Sequence, residues 1–77
     1  MSKKAAEARH AKKRALQRYG VKINRQDFFN IKKMVGLSRT KPLERRSNRV
    51  CVHEIEYAGK TMRIVYDSLR GQVVTFL

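Results

Sequence analysis

The sequence predicts an α+β domain in which two N-terminal helices pack on a three- to four-stranded antiparallel β-meander. Three observations predict it. Residues 49–57, 61–66 and 72–77 alternate apolar with polar side chains at the two-residue period of half-buried strands. The segments between them, 58–60 and 67–71, are short and each carries a glycine able to take positive φ, so neighbouring strands run antiparallel. A sheet built this way shows one apolar face, and only the N-terminal half is available to cover it.

Residues 2–19 read as the first helix, rich in Ala, Lys, Arg, Glu, Gln and Leu and free of proline and β-branched residues. Ala8, Ala11, Ala15 and Tyr19 fall on one side, flanked by Ala5 and Leu16, a narrow stripe suited to close packing. Lys3, Lys4, His10, Lys13, Arg14 and Gln17 face elsewhere, and the basic start, residues 1–8, is expected to fray. Gly20 suits a left-handed terminating residue. After an extended link at 21–23, Asn24 is a good N-cap, with Asp27 in the favourable first turn. A second helix follows over 25–35, with Phe28, Ile31 and Val35 inward, Phe29 and Met34 widening that face, and Gly36 just past its end. This helix is expected to be the main lid on the sheet. Residues 37–42 read as a loop, and 43–46 as an exposed edge strand, since Pro42 and Glu44-Arg45-Arg46 suit an edge. In the meander, Cys51, His53, Ile55 and Tyr57 share one face, as do Met62, Ile64 and Tyr66, with Thr61, Arg63 and Val65 opposite. Thr75 lies opposite Val74 and Phe76. The chain is thus one domain, with a helical part over 9–36 and a sheet over 43–77.

With 77 residues the core is thin and stability modest. Cys51 is the only cysteine, which excludes an intramolecular disulfide and a cysteine-rich zinc site and fits a reducing compartment. No apolar stretch reads as a secretory signal or a membrane span, so a cytoplasmic protein without a membrane partner is expected. Nineteen Lys and Arg against six Asp and Glu give a net charge of +13. An excess of that size points to a polyanionic partner, RNA or DNA ahead of an acidic protein surface, because each neutralised phosphate releases counterions.

Several chemistries are excluded. There is no Walker loop, no dinucleotide glycine motif, no nucleophile elbow and no histidine pair at metal-ligand spacing, and the six carboxylates are scattered. No metal or cofactor is therefore expected. What remains is His10, Arg14 and Arg18, four residues apart along one flank of the first helix. A histidine beside two arginines suits metal-independent RNA cleavage: the imidazole moves a proton and the guanidiniums hold developing phosphate charge. The same spacings arise by chance in any basic helix. His53, Tyr57 and Tyr66 read first as structural residues on the apolar face, Cys51 as buried, and Thr75 as a strand former whose hydroxyl is also able to hold a phosphate.

The run His10-Ala-Lys-Lys-Arg14-Ala-Leu-Gln-Arg18-Tyr-Gly20, with an Asn-led second helix and the close Ile64-Val65-Tyr66 then Val73-Val74-Thr75-Phe76-Leu77, resembles a group of small phage and bacterial domains. Its helices-then-sheet layout is similar to the barnase, EndoU, colicin and RelE type of ribonuclease and toxin fold. That resemblance implies an RNA-cleaving site between helix and sheet, mapped onto His10, Arg14 and Arg18 with Tyr66 or Thr75 on the strands. Where such toxins often place several acid–base residues on the sheet, this meander offers only His53, Arg63 and tyrosines.

Three readings follow. One is a metal-independent endoribonuclease or toxin-like domain using those residues, with an antitoxin as partner. Another is a non-catalytic nucleic-acid binder whose basic surface is formed by Lys3, Lys4, Arg9, Lys12, Lys13, Lys32, Lys33, Arg39 and Lys41. The last is a phage-type inhibitor docking on a host protein in the host cytoplasm. Oligomeric state is not legible in the sequence.

Overall fold

A computed structural model describes residues 3–37 and 39–77 of the chain, with side chains from Glu7 onward. The order is α1 (Lys3–Tyr19), α2 (Arg25–Gly36), β1 (Lys41–Arg45), β2 (Val50–Tyr57), β3 (Lys60–Asp67) and β4 (Gln72–Phe76). The four strands form one antiparallel sheet in the order β1-β2-β3-β4. This is the α+β arrangement that the patterning predicts, with the fourth strand present. The expected helix start at residue 2 and part of the expected fraying lie outside the described residues.

Helix α1 ends where Gly20 takes φ +66°, letting its N–H donate to the Leu16 carbonyl at 3.0 Å and closing the last turn. Helix α2 opens with a reciprocal capping box. The Asn24 side chain accepts from the Asp27 N–H, and the Asp27 carboxylate accepts from the Asn24 N–H, both at 2.9 Å. At its other end the expectation changes slightly: Gly36 is the last helical residue, and Leu37 caps with its N–H on the Lys33 carbonyl.

The core lies between the two helices and the inner sheet face. Ala11, Ala15, Ile31, Met62 and Ile64 are fully buried, joined by Ile23, Ile55, Tyr66, Val73 and Phe76. Alanines at 11 and 15 allow the helix axis to come close to the strands. α1 therefore sits closest to the sheet, along β4, while α2 packs its larger inward side chains Phe28, Ile31, Met34 and Val35 on the same core, so the two helices share the cover expected mainly of α2. Both ends of α1 are tied down. Near its start the Glu7 carboxylate accepts from Arg70 at 2.9 Å and from Gln72 at 3.1 Å. At its end the Tyr19 hydroxyl donates to the Leu77 carbonyl and accepts from the Arg63 N–H. Leu16 and Phe29, both expected beside the core, are more than half exposed instead.

The sheet departs from simple alternation in two places. A bulge lies between Val65 and Tyr66 in the β3–β4 register, where Val65 pairs with Thr75 and Tyr66 with Val73. Val73, not Val74, therefore shares the inner face with Phe76, and Thr75 points to the outer face with Val65. A second bulge at Leu43 follows Pro42, and β1 begins at Lys41, two residues before the expected start, with Pro42 inside the strand opposite His53. Proline is tolerated there because β1 is an edge. On the outer face Val52 and Val65 sit opposite each other and are 4% exposed, so that face is not wholly polar.

The turn between β2 and β3 is a two-residue hairpin, Ala58-Gly59, with φ of +54° and +75°. Positive φ at both positions is the primed geometry that matches strand twist, and asparagine before glycine suits it best. An L-residue such as Ala58 pays for the left-handed conformation. Replacing Ala58 by Asn should stabilise the fold by about 1 kcal/mol, raising Tm by about 4–8 °C. A thermal melt with an unchanged or lowered Tm would contradict this turn assignment.

Candidate functional site

A depression lies between residues of α1, α2 and the start of β4. It encloses about 650 Å³ and is lined by Ala8, Arg9, Lys12, Arg25, Phe28, Phe29, Lys32, Gly71, Gln72 and Val73. Its cations come from two elements. Arg9 and Lys12 project from the solvent side of α1, three residues apart, and Arg25 and Lys32 from α2, seven apart, both spacings that keep side chains on one face. None of these four cations joins an ion pair among the described residues. No carboxylate lines the groove.

The floor is apolar, with Phe28 turned towards the core and Val73 buried. At its inner end Gly71 takes φ +61° and brings backbone close to α2. A methyl group at Gly71 would lie 3.1 Å from Cε and 3.3 Å from Nζ of Lys32, so the bare glycine lets the lysine cross the turn. The Tyr66 hydroxyl lies near the same point, 3.8 Å from that methyl position. The turn itself is held by Asp67, whose buried carboxylate accepts from the N–H groups of Leu69 and Arg70 at 3.1 Å and faces Arg49.

A hydrogen-bonded tie fixes α2 to β2 and so sets this wall of the groove. The Tyr57 hydroxyl donates to Asp27 Oδ1 at 2.6 Å and accepts from Asn30 Nδ2 at 3.0 Å. The Tyr57 bond, with help from the Asn24 N–H, holds the Asp27 carboxyl below its ordinary pKa of 3.8. Burial, then Asp27, pushes the Tyr57 phenol up.

The residues expected to act together are not brought together. His10 and Arg18 are exposed and Arg14 half-buried, all on the flank of α1 that also carries Glu7. The buried stripe of Ala11 and Ala15 separates that flank from Arg9 and Lys12, and none of the three lines the groove. Thr75 is on the outer sheet face, its hydroxyl directed at the Phe76 carbonyl. Tyr66 is the one strand residue of that set to approach the groove, with its ring in the core and only its hydroxyl near Gly71 and Lys32. His53 stands on the inner face away from the groove. Its Nδ1 is 2.9 Å from the Thr40 hydroxyl, its ring meets Tyr66 edge-on at 6.0 Å, and burial lowers its pKa.

Of the cations expected to bind, Arg9, Lys12 and Lys32 line the groove, and Lys33 lies over the Phe29 ring at 5.9 Å. Lys13, Arg39 and Lys41 are exposed elsewhere, and the side chains of Lys3 and Lys4 lie outside the described residues. Arg25, Phe28, Phe29 and the Gly71 turn are additions from the structure. Arg25, Phe29 and Lys32 follow an i, i+4, i+7 spacing that marks them as one helical stripe.

Among the described residues no three His, Cys, Asp or Glu side chains come together as metal ligands would, and no helix is long and apolar enough to cross a membrane. No protein-family model, curated protein or solved structure matches the chain. The functional reading rests on the residues and their geometry.

Because the folded Asp27 pKa is depressed, its contribution to stability is present above the ordinary 3.8 and is lost as pH falls through the folded value. Asp27→Asn should therefore be less stable than the parent at pH 6–7 by urea unfolding, with the gap closing below about pH 4. A gap independent of pH would mean that the carboxylate charge contributes nothing to the tie.

Proposed function

We propose that the chain binds nucleic acid, with the groove between α1 and α2 seating the phosphate backbone. The observation that supports this is the unneutralised charge of the groove: Arg9, Lys12, Arg25 and Lys32 converge on it from two helices and no acid opposes them. Like charges held close together repel, and a polyanion relieves that repulsion while releasing its own condensed counterions. The apolar floor lowers the local dielectric and strengthens each contact.

Binding is favoured over cleavage as the groove's role. The chain has two histidines, and both stand away from the groove, one on the opposite flank of α1 and one beneath Thr40. Positioned phosphate contacts need no proton-transfer group.

Four phosphate contacts predict that log K falls with log salt at a slope of about −3 to −4. Lys12→Ala and Lys32→Ala should each reduce the slope by about one. Arg46→Ala, on a residue that pairs with Glu44 beyond β1, should leave it unchanged. Fluorescence anisotropy with a labelled oligonucleotide between 50 and 200 mM salt reads all three on the scale where such slopes are large. Salt-independent binding, or an equal loss at Arg46, would overturn the proposal, as would capture of a protein with no affinity for nucleic acid.

A further inference from the structure

The groove does not end at its cations. Phe29, 57% exposed, forms part of its wall and also of a second depression of about 270 Å³ lined by Lys32, Lys33, Gly36 and Leu37. Phe29 and Lys32 line both, so an exposed aromatic ring stands where the two depressions adjoin. Lys33 stands above that ring at 5.9 Å, and Leu37 beyond it is 58% exposed.

We infer that this surface selects single-stranded over double-stranded nucleic acid, with Phe29 as the platform on which an unpaired base stacks. The inference rests on the nucleic-acid reading of the groove and adds the class of strand it takes. A lone exposed apolar side chain is ordinary. This one is informative because cations of the same helix surround it: Arg25 lines the groove, Lys33 the smaller depression and Lys32 both. Charge complementarity names a phosphate chain as occupant, and the exposed ring names a flat apolar group attached to that chain. Unpaired bases supply such faces. In a duplex the base faces are consumed by their neighbours, and only edges reach the grooves.

The test compares a labelled single-stranded oligonucleotide with the duplex of the same sequence, against the full chain and Phe29→Ala. The single strand should bind the parent at least about tenfold more tightly. Phe29→Ala should weaken single-strand binding by about 5- to 150-fold, the range seen for loss of one stacked base, while duplex binding hardly changes. Phe29→Trp should restore most of it. Circular dichroism checks that the variants remain folded, as expected for a side chain that is mostly in solvent. Equal affinity for single strand and duplex, or Phe29→Ala binding like the parent, would overturn this inference while leaving salt-sensitive groove binding intact. Absence of salt-sensitive binding to either strand form would overturn both readings.

Discussion

The arrangement depends on how closely α1 approaches the sheet. Ala11 and Ala15 are fully buried, and with nothing beyond Cβ at either position the helix backbone settles directly onto β4 and its neighbours. The Glu7 tie to Arg70 and Gln72 holds one end, and the Tyr19 hydroxyl holds the other. Helix α2 packs beside α1 through the larger side chains Phe28, Ile31, Met34 and Val35 and is tied to β2 through Tyr57. The groove is lined by a helix seated close through alanines and a helix packed through larger side chains. Its shape follows from two alanines that never touch the ligand it is proposed to seat.

Charge is distributed to the same effect. Five of the six carboxylates are engaged in structure: Glu7 with Arg70, Asp27 in the capping box, Glu44 with Arg46, Glu54 with Arg63 and Asp67 with Arg49 and its turn. The more exposed of these pairs contribute little to stability. Their consequence is that acids are committed around the sheet and at helix ends, while the groove keeps its cations unpaired. A chain of +13 carries self-repulsion that works against compactness, and a surface concentrating part of it in one cleft does so at some expense in stability.

The sheet was legible because its signals are local. Period-two alternation, the glycine turns at 59 and 71 and the Asn24–Asp27 capping pair each act within a few residues, and the structure forms strands and helices where they indicate. What the sequence did not show depends on contacts between distant segments. The bulge that moves Val73 inward is a property of the β3–β4 pairing, and alternation alone places Val74 there. The close seat of α1 along β4 turns on how much room two alanines leave, which a helical wheel ranks below a larger apolar face. The site divided in the same way. His10, Arg14 and Arg18 do share a flank, as their spacing requires, but which flank of α1 faces α2 is decided by the crossing of the two helices. Arg25, Phe29 and Lys32 had a spacing that was readable, and Phe29 was assigned to the core because aromatic residues usually belong there.

Phe29 adds little to the fold. On α2 the inward positions are filled by Phe28, Ile31, Met34 and Val35, and Ile31 among them is completely buried. The Lys33 contact over the ring is of the exposed kind, worth about 0.5–1 kcal/mol, and a smaller residue at 29 would leave the core unchanged. Groove cations attract any polyanion and distinguish poorly between strand forms, because every phosphate looks alike to a lysine. An exposed ring attracts no phosphate but discriminates by whether a base face is free. Placing the ring between the cations on one helical stripe separates the two tasks into different side chains. On the proposed reading the cations set the salt-sensitive affinity for either strand form and the ring adds affinity for the single strand alone, and neither requires the hydrophobic core to change.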